Sequence, residues 1–217
     1  MTARLIYVAD PMCSWCYGFG PELSGLFDAI PGMDLEIVVG GLRAYNTEEM
    51  DGRLKATLVS HWRHVEGASG LPFSDAAIAR AGFVYDTEPA CRAVVVARLL
   101  APDLAPHAQL DIFHAIQRAF YAEGVDITQG EALADVASAA LTRQGFQVDA
   151  AAFHGKWSEE ASIAATRNDF IRTQRWGISG FPTVLIEYQK ELALVISGYT
   201  KAETLLERVQ ELTAQKA

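Results

Sequence analysis

Asp10-Pro11-Met12-Cys13-Ser14-Trp15-Cys16 follows a short apolar run, Leu5-Ile6-Tyr7-Val8-Ala9, and leads into a stretch of helical character. Two thiols separated by two residues, at the junction of a strand and a helix start, are placed for reversible disulfide chemistry. Only the thiolate attacks a disulfide. The unpaired N–H groups of a helix's first turn carry roughly half a positive charge. Cys13 is expected at that terminus, behind Pro11, which stops a helix from starting earlier. Cys16 lies one turn further in on the same face. It can close a small ring with Cys13, so Cys13 reads as the nucleophile and Cys16 as the resolving thiol. Two plainer readings compete: a pair of core cysteines, or half of a zinc site. A structural zinc takes about four ligands. Cys91 has no nearby cysteine, and His61 and His64 make a Cys2His2 set arithmetically available. The simpler reading of His61-Trp62-Arg63-His64 is a helix surface with Trp62 turned inward, so no metal is expected.

The chain has 217 residues, half of them hydrophobic, enough for one large domain or a domain carrying an insertion. Its formal net charge is −9 and no basic cluster marks one face, which argues against nucleic acid or an anionic membrane as partner. No run of about 18 apolar residues exists to span a bilayer. Even Ala93-Val94-Val95-Val96-Ala97 is bounded by Arg92 and Arg98. Met1-Thr2-Ala3-Arg4 runs straight into the first strand with no signal-peptide core. The expected compartment is a reducing cytosol, where a CxxC is catalytic more often than structural.

Along the chain, Arg4 to Ala9 reads as a buried strand. The helix after Cys13 carries Pro21, which should kink it, and ends near Ile30 before Pro31-Gly32. Leu35 to Val39 is a second buried strand, closed by Gly40-Gly41. This strand–helix–strand unit implies a parallel pair with a right-handed crossover. From Arg43 onward helix follows helix. Asn46 and Glu49 resemble a capping box, and Met50, Leu54, Leu58, Trp62 and Val65 recur at helical spacing until the break at Gly67 to Gly70. Further helices are expected over Ser74–Ala81, Glu88–Leu100, Pro106–Ala122, Gly130–Arg143 and Ala150–Trp176. Thr183–Tyr188 and Leu192–Ser197 flank the polar turn Gln189-Lys190-Glu191 as a β-hairpin, and a last helix covers Lys201–Thr213. The fold class is α/β, with a helical block inserted into a β-α-β … α-β-β-α unit. Residues 1–43 and 157–217 would form the outer domain, of roughly a hundred residues, and 44–156 the insertion.

That outline, with CxxC after the first strand and a proline before the hairpin, resembles the thioredoxin superfamily, and the helical insertion narrows the resemblance to DsbA-like proteins. The string Asp10-Pro11-Met12-Cys13-Ser14-Trp15-Cys16-Tyr17-Gly18-Phe19-Gly20-Pro21 is similar to the cytosolic FrnE-like branch, described as protein-disulfide isomerases. Gly40-Gly41-Leu42-Arg43, Pro89-Ala90-Cys91-Arg92 and Gly180-Phe181-Pro182-Thr183 also resemble that branch. The resemblance covers essentially the whole chain. It implies that Pro182 follows a cis bond and lies against the dithiol, turning the Phe181 backbone outward for an extended substrate to pair with. Phe181, Pro182 and Trp15 are the expected substrate-binding residues. The periplasmic oxidases of this family carry a histidine between their cysteines. Ser14-Trp15 bears no charge, and Asp10 opposes an anion on Cys13, so a weaker oxidant is expected. The bulky Phe181 is expected to reshape substrate access.

Cys91 is read either as an auxiliary thiol near the interdomain groove or as a small packed hydrophobe. Glu48-Glu49 and Glu159-Glu160 point apart on a helix and make no acid–base pair. Trp157 and Trp176 read as anchors between the long helix and the sheet. Trp15, Tyr17 and Phe19 read as walls of the dithiol or, for Phe19, as core. Three functions stand in competition. The first is a thiol–disulfide oxidoreductase or protein disulfide isomerase acting on protein or small-molecule disulfides and thiols. It needs no cofactor beyond its own disulfide, takes glutathione as a potential co-substrate, and has an unassigned electron partner and oligomeric state. The second is a glutathione-dependent transferase or isomerase of the kappa-class or hydroxychromene carboxylate isomerase type, which characteristically has serine where Cys13 stands. The third is a non-catalytic thioredoxin-fold binding module with an inert dithiol.

Overall fold

The computed structural model describes residues 3–214. Met1-Thr2, which carry part of the leader-free reading, and the last three residues of the outer domain piece lie outside that range. Thirteen elements alternate as the sequence implies among the described residues: β1 (Arg4–Ala9), α1 (Ser14–Ala29), β2 (Asp34–Val39), α2 (Gly52–Ser69), α3 (Ala76–Ala79), α4 (Glu88–Leu100), α5 (Pro106–Tyr121), α6 (Gly130–Arg143), α7 (Ala150–Ser158), α8 (Glu160–Arg175), β3 (Thr183–Tyr188), β4 (Glu191–Ser197) and α9 (Ala202–Ala214). The strands form one sheet in the order β2-β1-β3-β4. β1 and β2 are parallel with Arg4 opposite Asp34, while β3 runs antiparallel to both β1 and β4. The helical block α2 to α7 enters between β2 and α8, giving the expected thioredoxin-like α/β fold with a helical insertion.

Because β1 is central, its side chains are buried on both faces, which explains its unbroken apolar run. Leu5, Tyr7 and Ala9 join the main core with α1 and the inserted helices. Ile6 and Val8 face the other way, with Val38 and Leu185, under Trp176, Ile178 and Phe181. Trp62 is buried as expected, against Phe73, Phe120 and Tyr121. Among the described residues no helix is long and apolar enough to cross a membrane.

Four local expectations are corrected. Asn46 and Glu49 form no capping box. The Asn46 side chain instead bonds the backbone of Glu48, a local turn that competes with helix. Glu49 bridges to Val84, and α2 begins at Gly52, where Asp51 caps it by accepting from Leu54 N at 2.7 Å. Gly67 does not break α2, which runs on to Ser69 and ends at Gly70 in the left-handed region at φ 73°. The helix expected over Ser74–Ala81 is the single turn α3. The long helix expected over Ala150–Trp176 is two helices joined at Glu159, whose ψ of 140° is extended. That break lets α7 pack on α6 and α4 while α8 packs on α4 and β2. Trp157 therefore anchors α7 to α4 rather than to the sheet: its indole N–H donates to the Pro89 carbonyl at 3.0 Å and Arg92 stacks on its ring at 3.8 Å. Trp176 does pack on the sheet, as expected.

Candidate functional site

Cys13 is the N-cap of α1, in extended conformation (φ −90°, ψ 117°). Its N–H donates to Asp10 O at 3.0 Å, closing the Asp-Pro-Met turn, and its carbonyl accepts the first helical bond from Tyr17 N at 3.1 Å. The Sγ atom makes no capping bond to the helix, so the first-turn N–H groups stay available to an anion at this end. Cys13 is 7% exposed and Cys16 fully buried. The Cys13 thiol lies 3.6 Å from the carbonyl oxygen of Phe181. The Phe181–Pro182 bond is cis, the geometry that the family resemblance implies.

Phe181 turns its ring away from the thiol. The ring fills the space over Gly40, where an added Cβ would lie 2.0 Å from Phe181 Cζ. It is thus the Phe181 backbone that fronts the dithiol, and Gly40 exists to admit the ring. On the opposite side Trp15 is half-buried between His61 (ring centroids 6.0 Å apart) and Tyr199 (5.4 Å). Tyr17 is buried and stacked on Tyr121, and Phe19 lies in the core against Tyr7, so of the three aromatics only Trp15 borders solvent at this site.

Beneath the dithiol lies a polar floor that the sequence reading did not find. Asp10 is fully buried. One carboxylate oxygen accepts from Met12 N at 2.8 Å. The other accepts from Leu42 N at 2.6 Å and from the Cys91 thiol at 3.5 Å. Burial raises the Asp10 carboxyl above its usual range, and the Leu42, Met12, Thr87 and Cys91 donors partly oppose that rise. Burial, then the hydrogen bond and charge of Cys13, push the Cys16 thiol well up. Burial, then the charge of Asp10, do the same to Cys91. The charge of Asp10 contributes to the rise at both Cys16 and Cys91. Cys91 is a buried donor to Asp10, close to the packed reading of it.

Three phenols complete the floor. Tyr7 donates to the Cys16 carbonyl at 3.3 Å. Tyr121 donates to the Met12 carbonyl at 2.6 Å, and Tyr85 donates to the same oxygen. Burial raises all three tyrosines, so they act as neutral donors. The carbonyl before the proposed nucleophile is thus gripped by two side chains from the helical block.

No protein-family model matches the chain, and no curated protein does. Among solved structures, "a putative protein disulfide isomerase from Nitrosomonas europaea" is 31% identical over 100% of both chains, with a TM-score of 0.88. The cytosolic disulfide reductase DsbM from Pseudomonas aeruginosa is 25% identical over 98% of both chains, with a TM-score of 0.74, and its complex with glutathione superposes with a TM-score of 0.73. The fold alone is shared with a 2-hydroxychromene-2-carboxylate isomerase (16% identity, TM-score 0.65, 98% of this chain and 97% of the other). It is shared likewise with the oxidoreductase DsbA from Xylella fastidiosa (12%, TM-score 0.58, 99% and 86%). A sheet of this strand order, interrupted by a helical block and matched end to end at 31% identity, leaves one assignment: the chain belongs to the DsbA-like proteins of the thioredoxin superfamily.

Proposed function

We propose that the protein is a thiol–disulfide oxidoreductase of the FrnE-like branch, working in the cytoplasm through the Cys13–Cys16 dithiol. The observation that carries this reading is the placement of the Cys13 sulfur. It sits at the mouth of α1, 3.6 Å from a backbone carbonyl on the neighbouring loop, with a protonated thiol one turn deeper. The Cys13 thiolate attacks one sulfur of a substrate disulfide. That S–S bond breaks, a mixed disulfide forms, and the first substrate thiol leaves with a proton. Cys16 then gives up its proton and attacks Cys13 Sγ, releasing the second thiol and leaving a Cys13–Cys16 disulfide. Two electrons have passed from the dithiol to the substrate. A thiol of the glutathione class returns them, a role supported by the likeness to DsbM, which has been solved with glutathione. An extended substrate would pair with the Phe181 backbone, while Pro182 leaves that flank without a competing N–H.

Cys13→Ser should abolish insulin reduction and the refolding of scrambled substrates. Cys16→Ser should accumulate mixed disulfides as adducts on non-reducing gels. Undiminished activity in the Cys13 variant would overturn the proposal. Conjugation of glutathione to an aryl halide that survives Cys16→Ser would point instead to the transferase class. The cysteine at position 13, where that class characteristically uses serine, disfavours it.

A further inference from the structure

Arg43 lies in the loop that follows β2, next to Leu42, whose N–H bonds Asp10 of the turn before Cys13. This loop is pinned at successive positions. Gly40 N donates to Ala9 O at 2.8 Å, Leu42 N to Asp10 at 2.6 Å, Arg43 N to Thr87 Oγ1 at 3.1 Å and Tyr45 N to Asp86 at 2.7 Å. Gly41 supplies the left-handed turn at φ 68° that such a path needs. The Arg43 guanidinium sits over the Tyr85 ring, 5.6 Å from its centroid. Tyr85 is one of the two phenols that grip the carbonyl of Met12, the residue before Cys13. A cation is thereby held against the same side chain that fixes the turn before Cys13.

Its lack of an oxygen partner sets it apart among the half-buried cations of the described residues. The other half-buried cations all meet oxygen. Arg4, Arg92, Arg98, Arg172 and Lys156 form ion pairs, and Lys55 donates to the Arg80 carbonyl. Among the described residues the Arg43 head meets none. Holding a cation partly out of water without a counter-ion is unfavourable, and the face of one tyrosine offsets that only in part. The chain is acidic overall, at a formal net charge of −9, so a negatively charged substrate needs a local cation to approach. Leu42 and Tyr45, exposed to 43% and 51%, flank Arg43 and offer apolar contact beside the charge.

Building on the dithiol reading above, we infer that Arg43 is a substrate-binding residue whose guanidinium takes a carboxylate carried by the disulfide under attack. Arg43 is joined to the Cys13 turn through Tyr85 and Met12, so the carboxylate would stand a short way along the substrate from the attacked sulfur. Both a small tripeptide disulfide and an acidic protein segment present that chemistry.

The test uses the reduced full-length protein, oxidised either by glutathione disulfide, which carries carboxylates, or by uncharged hydroxyethyl disulfide. In each case the dithiol becomes the Cys13–Cys16 disulfide and two substrate thiols are released, so the two rate constants compare directly. The ratio of the anionic to the neutral rate constant should fall about three- to tenfold in Arg43→Gln and be largely retained in Arg43→Lys. Added salt should lower the ratio in the wild type and should not lower it in Arg43→Gln, where screening relieves only the repulsion of the acidic chain. An unchanged ratio in Arg43→Gln, or an equal fall in both rate constants, overturns the assignment while the dithiol reading stands. A wild type inert toward both disulfides overturns that reading and this one together. Peptide disulfides with Glu or Gln two residues from the cysteine separate the sources. An Arg43-dependent preference for the Glu form supports protein substrates, and a preference confined to glutathione disulfide supports the small thiol.

Discussion

At the scale of single residues, the place of Cys13 and Cys16 at the start of α1 could be read from spacing because strand, turn and helix start are all local. The groups around it could not. Tyr85 and Tyr121 reach Met12 across 73 and 109 residues of chain, and no short pattern marks a phenol that folds back so far. Asp10 was legible only as a charge. Its role as a clip between the Cys13 turn, the loop at Leu42 and α4 depends on three backbone and side-chain donors converging in the interior. The same convergence decides the chemistry of Cys91. Burial and the neighbouring carboxyl hold its thiol protonated, so it should resist alkylation in the native protein. Mass spectrometry after iodoacetamide treatment should find Cys91 modified only once the chain is unfolded in denaturant. Rapid labelling under native conditions would show that the floor opens.

At the scale of elements, periodicity and Pro/Gly breakers placed most helices within a few residues, and tertiary contacts accompany two of the misplacements. The start of α2 and the break between α7 and α8 are set by tertiary partners, Val84 for the first and Pro89 for the second, which sequence does not display. In α6 the small residues Ala134, Ala137 and Ala140 are buried. Of the glycines, Gly20 leaves least room for a side chain, and no pattern singled it out. An added Cβ there would lie 1.5 Å from His114 Cε1 of α5. Burial lowers the His114 pKa, so its ring is a neutral packing element with no charge to draw it out to water. Gly20→Ala should gain about 1 kcal/mol of helix propensity and lose more through overpacking, typically 1–3 kcal/mol. The expected net loss, about 1 kcal/mol, is measured by denaturant unfolding. A variant as stable as the wild type would mean that α1 and α5 separate without penalty.

At the scale of the whole molecule, the fold class followed from element order, whereas the ties between the sheet and the inserted helices did not. Arg172 reaches Glu36 at 2.6 Å and Arg4 reaches it at 3.2 Å, while Arg98 of α4 meets Asp169 of α8 at 3.1 Å and the Ile37 carbonyl at 2.6 Å. Glu36 is thus shared by β1, β2 and α8. Burial alone would raise its pKa, but the Arg172 bond and the charges of Arg172 and Arg4 outweigh burial and lower it. A carboxyl lowered in the folded state contributes stability above its ordinary pKa, and that contribution is lost as pH falls through the lowered value. Glu36→Gln should therefore cost about 1–2 kcal/mol near neutrality, and the gap to wild type should close below about pH 4. Denaturant midpoints at the two pH values check this, and a gap that holds constant into acid would refute it. The grip on the Met12 carbonyl bears on the evolution of such chains. The two phenols belong to the inserted block and the sulfurs to the outer unit, so a version pared to its sheet and flanking helices would keep both sulfurs yet lose their aim. Under the proposed function the insertion is hence part of what aims the sulfurs, and cutting it away should cost activity as well as stability.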